Sequence, residues 1–540
     1  MKKYLLGVIL LLNVMFLSAQ ESQPKLVVGI VVDQMRYDYL TRFQDKYVDG
    51  GFNRLLNEGF NCKNNHYNYV PTYTGPGHAS IFTGTSPMNH GIISNTWYDK
   101  FSDKYVYCAS DESVKSVGVN TEKEQMSPNR MKTTSVADQL RLHTQMKSKV
   151  IGIALKDRGA ILPAGHSASA AYWFRGREDG KWITSTHYMN ELPKWVTKFN
   201  KNADQYLKQW NTLQPIKEYI ESGSDENHFE GAFKGKENVS FPYDLKQLSK
   251  VKGNKGYDVI KASAIGNEMT TDFAIEAIKN EQLGQNSVTD FLTLSYSSTD
   301  YVGHQFGVNS VEVQDTYLRL DRDLSRLFHF LDSDLGKGNY TVFLTADHGA
   351  VQVPNYLKSL KIPAGYFRKD DFKKQLKEAL KKKYQTTGLI KNVSNNQVFL
   401  NKEKIRMIDE DLDDVQEFIA QTIIDFKHID KVFTADALMN TSFTTGIGKL
   451  IQNGFHPKHS GDVVFVLEPS VISYPETGST HGSGNSYDTH VPLLFYGNGI
   501  KKGETYQKTE IIDVAPTISA LLGISFPNGC SGKPLGFVFK

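Results

Sequence analysis

Cysteine is scarce in this chain of 540 residues, with three thiols at Cys62, Cys108 and Cys530. That is too few for a disulfide scaffold, so burial must hold the fold. One bridge is open to the chain, and isolated buried thiols are an equally good reading. Charge imbalance is missing too. Lys and Arg number 62 against 59 Asp and Glu, a net +3, which gives no support to a nucleic-acid partner or an acidic tail. There is no internal repeat and no low-complexity tract. The only long apolar run is Tyr4–Leu17, preceded by Lys2 and Lys3 and followed by Ser18-Ala19-Gln20. It is shorter than the roughly 20 residues a spanning helix needs, so residues 1–19 read as a cleaved signal peptide. The mature chain is expected to be exported, secreted or periplasmic, with no membrane span.

Apolar content of 39% and aromatic content of 11% suffice for a large core. Continuous apolar, β-branched runs occur at Leu26–Val32, Val150–Leu155, Phe291–Leu294, Val342–Thr345, Val463–Leu467 and Val491–Tyr496. Unbroken apolarity means strands covered on both faces, as in a parallel sheet. Helical spacing lies between them. Val313, Tyr317, Leu320, Leu324, Leu327 and Leu331 follow a capping Ser310, and Met269, Phe273, Ile275 and Ile278 form another stripe. The expected fold is α/β: a doubly wound, mostly parallel central sheet with helices on both faces, in one catalytic domain over 20–540. Two insertions are expected. Residues 166–256 read as irregular, and 351–459 as a small α+β subdomain with helices around Phe372–Leu380 and Val415–Phe426.

The unusual polar residues fall where those strands end. Asp33 closes the first run, and Lys156 and Arg158 follow the second. Asp300 and His304 lie beyond Leu294, and Asp347-His348 follows Thr345. Ligands of open parallel sheets bind beyond the carboxyl ends of the strands, so four distant segments deliver acids, imidazoles and cations to one edge. An aspartate after a strand is ordinarily a turn or cap residue. An Asp-His pair before Gly349 is harder to explain that way, because neighbouring side chains share a site only where a strand ends and the chain turns. These oxygen and nitrogen donors, without thiolate, suit zinc.

In Pro71-Thr72-Tyr73-Thr74-Gly75-Pro76-Gly77-His78 a loop enters a helix. Thr74 there is either an N-cap or a nucleophile, since a helix N-terminus with its free N–H groups also attracts anions. His481 lies in a glycine-rich loop, Gly478–Gly484, and is preferred as a ligand over His490, which directly precedes an apolar strand.

Taken in order, Val31-Val32-Asp33-Gln34, Thr72–His78, His90-Gly91-Ile92, Asn95, Leu155-Lys156-Asp157-Arg158-Gly159, Ser298-Thr299-Asp300 with Gly303-His304, Ala346-Asp347-His348-Gly349 and Thr480-His481-Gly482 form one set. The set resembles the alkaline phosphatase superfamily, and closely its PafA-type bacterial alkaline phosphatases. The resemblance implies two zinc ions. Asp300, His304 and His481 would hold one, and Asp33, Asp347, His348 and the Thr74 oxygen the other. It also implies that Asn95, Lys156 and Arg158 contact the phosphoryl oxygens while Thr74 forms a phosphothreonine. Small phosphate monoesters are the implied substrates, and a monomer the implied state.

A phosphodiesterase or nucleotide pyrophosphatase of the same superfamily would share Thr74, Asn95 and every metal ligand. Lys156 and Arg158 favour the more highly charged monoester. A sulfatase would need cysteine or serine where Thr74 stands, and a manganese phosphomutase fits neither the threonine nor the leader. An inactive binding protein would be expected to have lost at least one ligand, and none is missing.

Overall fold

The computed structural model describes residues 23–540, so the expected signal peptide lies outside the described residues. Its main sheet has ten strands: β1 (Leu26–Val32), β2 (Phe60–Cys62), β3 (Ser116–Val117), β4 (Val150–Ala154), β5 (Ala170–Arg175), β6 (Lys181–Ser185), β7 (Asp290–Tyr296), β8 (Tyr340–Thr345), β9 (Leu493–Gly497) and β10 (Gly503–Thr505). Their spatial order is β10-β2-β9-β8-β1-β7-β4-β5-β6-β3. The centre, β8-β1-β7-β4-β5, is parallel, and β9 and β6 turn antiparallel on either side. The continuous Val491–Tyr496 run is therefore an antiparallel strand, covered on both faces all the same.

Five helices matter for the site: α1 (Thr74–Thr83), α2 (Asp157–Ala164), α3 (Ile265–Glu281), α4 (Ser298–Phe306) and α5 (Val311–Leu335). Both faces of the sheet are packed. Phe82 of α1 lies against Phe291 and Phe343, with ring centroids 6.3 and 5.6 Å away. Tyr296, of opposite parity to Phe291 on β7, reaches the other face and meets the Thr271 hydroxyl of α3 at 2.9 Å. Ser310 caps α5 by accepting the Val313 N–H, and that helix buries Val313, Tyr317, Leu320, Leu324, Leu327 and Leu331.

Two expectations about the insertions need correction. Residues after His166 are not irregular at first: Ala170–Arg175 and Lys181–Ser185 are main-sheet strands. Their cores are aromatic rather than aliphatic, and Trp182 stacks on Phe273 of α3 at 4.1 Å. From Thr186 to Gly256 only short helices and the two-residue pair Gln209–Trp210 with Tyr243–Asp244 remain. Val463–Leu467, expected in the parallel sheet, instead joins Ile390–Ser394, Gln397–Leu400 and Ile429–Thr434 in a four-stranded antiparallel sheet, so that unit runs past His459. The run is continuous because both of its faces are covered. Val463 and Phe465 join a core with Phe372, Leu376, Val415 and Ile419, while Val464 packs with Ala435, Leu438 and Ile451. All three cysteines are free thiols.

Candidate active site

The carboxyl ends of β1, β4, β7 and β8 open on one pocket. Asp33 follows β1 directly, and Asp347 and His348 follow β8. Asp300 sits in the first turn of α4, and His304 stands four residues on, one helical turn away on the same face. Lys156 and Arg158 flank the start of α2.

Ligand atoms of Asp300, His304 and His481 lie within 4.8 Å of one another, as do those of Asp33, Asp300 and His348. Asp347 falls outside the second trio, yet its Oδ2 is 3.5 Å from His348 Nε2, and Asp33 Oδ1 is 3.6 Å from the same nitrogen. Each imidazole is oriented by its other nitrogen. Nδ1 of His304 donates to the Ser479 carbonyl at 2.7 Å, that of His481 to Thr72 at 2.7 Å, and that of His348 to Gly349 at 3.0 Å. A carbonyl can only accept, so all three rings carry a proton on Nδ1 and aim Nε2 into the pocket, that of His304 lying 3.2 Å from Asp300 Oδ1.

Electrostatics points the same way. Three buried carboxylates, Asp33, Asp300 and Asp347, face one ammonium, Lys156. Lys156 Nζ donates to Asp33 Oδ2 at 2.6 Å and also to Asp300 Oδ2. Burial, then Asp300 and Asp347, hold Asp33 well above the ordinary carboxylate range against the pull of Lys156. Burial pushes Asp347 up to about 6. Asp300 goes the other way: burial opposes its charge, but His304 and Lys156 outweigh that and hold it low. Burial pushes His348 down to about 3, so its ring is neutral and free to coordinate. Among the described residues, Asp33 Oδ1, Asp347 Oδ2 and His348 Nε2 are all buried without a hydrogen-bond partner. Three orphaned lone pairs in one sealed corner would cost several kcal/mol unless a cation satisfied them. The residues fit a metal.

Thr74 is the first residue of α1, and the N-cap position belongs to Tyr73, with no side-chain capping bond. The threonine hydroxyl is thus released from the capping role. Its Oγ1 lies 3.5 Å from Lys156 Nζ and 3.4 Å from Arg158 Nη2. Asn95 Oδ1 accepts the Gly75 N–H at 2.6 Å, which fixes the amide plane and leaves Nδ2 as its donor. Arg158 Nη1 is steadied by the Tyr107 hydroxyl at 3.1 Å, and that hydroxyl in turn donates to Asp157. Gly77 is required where α1 presses on Asp347, since a β-carbon there would come within 2.5 Å of the Asp347 carbonyl oxygen. His490 instead stacks between Tyr37 and His66, at 4.5 and 4.6 Å, and its Nε2 bonds the Lys63 carbonyl at 2.9 Å.

Some supporting residues were not picked out by sequence. Gln34, in a left-handed conformation with φ 64°, gives its N–H to Asp347 Oδ1 at 3.0 Å and its Nε2 to Asp300 Oδ1 at 2.8 Å. His78 bonds the Thr74 carbonyl and the Ser295 hydroxyl, each at 2.9 Å, and so ties α1 to β7. His78 and Gln34 both stand inside quoted motifs, which was the available signal. The Ser479, Thr72 and Gly349 carbonyls carried none, because a backbone group is the same in every residue.

The chain as a whole is similar to known proteins. Residues 27–491 match the family described as Type I phosphodiesterase / nucleotide pyrophosphatase. A Myroides odoratus protein named calcium-transporting ATPase is 48% identical over 96% of this chain and 95% of its own. Alkaline phosphatase PafA of Elizabethkingia meningoseptica is 46% identical over 99% of this chain and 98% of its own. A crystal structure of wild-type alkaline phosphatase PafA superposes with TM-score 0.92 at 45% identity, covering 96% of this chain and 99% of that one. A PafA variant with one threonine changed to serine, and an asparagine, a lysine and an arginine changed to alanine, superposes with TM-score 0.91. The chain belongs to the type I phosphodiesterase / nucleotide pyrophosphatase family, and within the alkaline phosphatase superfamily it stands with the PafA-type alkaline phosphatases.

Proposed function

We propose that this alkaline phosphatase hydrolyses phosphate monoesters through a phosphothreonine at Thr74, with two zinc ions as cofactors. The observation that carries the reading is the position of the Thr74 hydroxyl. It is uncapped at a helix N-terminus, within 3.5 Å of Lys156 Nζ and 3.4 Å of Arg158 Nη2, beside buried carboxylates and imidazoles. Asp300, His304 and His481 would hold one zinc, and Asp33, Asp347, His348 and Thr74 the other. Bound zinc supplies positive charge that lowers the threonine pKa and offsets the charge on the attacking and leaving oxygens.

The chain's own groups do the rest. Arg158 presents a guanidinium fork to two non-bridging oxygens, Lys156 adds a point charge, and Asn95 Nδ2 donates to a third. These contacts hold phosphorus in line with Thr74 Oγ1. The Oγ1–P bond forms as the ester P–O bond breaks; the Thr74 proton passes to solvent, and the departing alkoxide takes one proton back from water to leave as the alcohol. Water then attacks phosphorus, releasing phosphate and restoring the hydroxyl. The fixed Nδ1–H bonds of the three histidines keep every Nε2 aimed inward, so little reorganisation accompanies either step. The PafA variant altered at a threonine, an asparagine, a lysine and an arginine supports the same four residue types, in the same chain order, as Thr74, Asn95, Lys156 and Arg158.

A monoester carries one more charge on its non-bridging oxygens than a diester, so Lys156 and Arg158 together favour the monoester. The test is the ratio of kcat/KM for an aryl phosphate monoester to that for a bis-aryl diester with the same leaving group. A clear monoester preference is expected, and a diester preference would overturn the reading. The leader-like residues 1–19 support export of the mature enzyme. Among the described residues no helix is long and apolar enough to cross a membrane.

A further inference from the structure

A cavity of about 380 Å³ opens beside Lys156 and Arg158. Its lining carries six cations (Lys156, Arg158, Arg175, Arg177, Lys255 and Lys261) against three acids, Glu124, Asp157 and Asp258. Which of these charges are already matched decides what the cavity wants. Lys156 is matched by Asp33 and Asp300. Arg175 meets Asp179 at 3.0 Å, Glu178 at 3.3 Å and Glu124 at 3.9 Å. Lys261 meets Asp258 at 2.9 Å. Asp157 takes the Tyr107 hydroxyl and the Arg158 N–H. The acids are thus occupied, whereas Arg158, Arg177 and Lys255 have no carboxylate partner among the described residues. The excess charge sits on these three.

Their placement is built into the backbone. Arg177 and Lys255 stand on different loops, and the Tyr257 N–H donates to the Arg177 carbonyl at 2.8 Å, pinning one loop to the other. Gly256, at φ +66°, is required at that junction: a β-carbon there would lie 1.9 Å from the Arg177 carbonyl oxygen. Tyr301 walls the cavity towards the nucleophile, with Lys156 Nζ 5.1 Å from its ring centroid. Two exposed cations on joined loops share this cavity with the Arg158 guanidinium, which also faces Thr74, and so line a positive path to the reacting phosphate. Oxygens of a second phosphate would make charge-assisted contacts there without displacing any existing ion pair.

We propose that this cavity is a second anion subsite for a phosphate group, with Arg177 and Lys255 as its specificity-determining residues. The inference rests on the phosphatase reading of the site. The group's source is either a second phosphate on the substrate or inorganic phosphate released by turnover.

The test compares the zinc-loaded wild type with an Arg177→Ala/Lys255→Ala double variant. Both side chains are exposed, so the variant should fold normally. Equilibrium dialysis with inorganic phosphate should count two sites per chain in the wild type and one in the variant. In a second arm, kcat/KM is measured for an alkanediol bisphosphate and for the matching monophosphate. If the substrate supplies the second phosphate, the wild type prefers the bisphosphate by about tenfold or more, and the variant loses that preference. If free phosphate is the occupant, dialysis alone distinguishes the two proteins. A single dialysis site in the wild type, together with an unchanged bisphosphate-to-monophosphate ratio, would overturn the subsite. Failure of the wild type to cleave any monoester would instead overturn the phosphatase reading, and dialysis would still decide the subsite.

Discussion

The two halves of the candidate metal centre differ in how they are closed. Asp33, Asp347 and His348 are wholly sealed, with side-chain exposure of 0%, whereas His304 keeps 25% of its side chain in solvent. The orphaned lone pairs follow the same division: all three belong to the sealed half. In the open half Asp300 is partnered by Gln34, Lys156 and His304. A sealed donor set with nothing to bond is organised for a resident ion. An open set beside solvent is organised for an oxygen that must come and go. Lys156, bonded to both Asp33 and Asp300, is the hinge between the two halves.

The largest effect should come from the group both halves serve. Thr74→Ala should lower monoester turnover by roughly 10⁴-fold or more, as removal of a covalent nucleophile does. Turnover near the wild-type rate would break the link between the two halves. Next in size is metal retention. Under a chelator, zinc should leave in two phases, the fast one from the open half. His304→Ala should remove the fast phase, and His348→Ala the slow one, read as zinc per chain against time. Single-phase loss in the wild type would mean that the sealing has no consequence.

The place of these acids and imidazoles was legible in the amino-acid sequence, but the sealing of one half was not. Asp33, Asp300, Asp347 and His348 follow unbroken apolar runs, and in a parallel sheet the end of such a run is a statement about place as well as structure. Thr74 was ambiguous between cap and nucleophile, and that the N-cap place belongs to Tyr73 is visible only in the backbone. What stayed hidden depended on distant contacts. The carbonyls of Thr72 and Ser479 orient His481 and His304 across sequence separations of 409 and 175 residues. The antiparallel placement of Val463–Leu467 was hidden for a related reason: apolarity on both faces reports coverage, not strand direction.

A smaller effect tests the charge reading on the substrate side. Arg158→Ala should lower monoester kcat/KM by about 10²–10³-fold, the usual cost of one transition-state charge donor, and diester kcat/KM by clearly less. Equal losses would mean that the guanidinium only positions Thr74.

The smallest effect offers a control for the sealed half. Glu230 and Glu312 are also buried carboxylates with an unpartnered oxygen each, and Glu312 accepts from the Tyr243 hydroxyl at 2.5 Å. Burial, then their mutual repulsion with Asp225, pushes Glu230 up to about 11, and burial pushes Glu312 up to about 8. Here a proton does what an ion would do in the site. Folded pKa values above the unfolded ones mean stability that is full below the ordinary glutamate range and is lost as pH rises through about 8 towards 11. Glu230→Gln should therefore gain melting temperature relative to wild type as pH rises from about 5 to about 10. A difference that stays flat with pH would show that these acids are already ionised in the fold.

The most direct measurement is where phosphate resides during turnover. The zinc-loaded enzyme is mixed with a ³²P-labelled monoester, quenched in acid within the first turnovers, and its peptides are mapped. The label is expected on Thr74. Label on any other residue, or turnover at full rate with no label on the protein at any quench time, would contradict it.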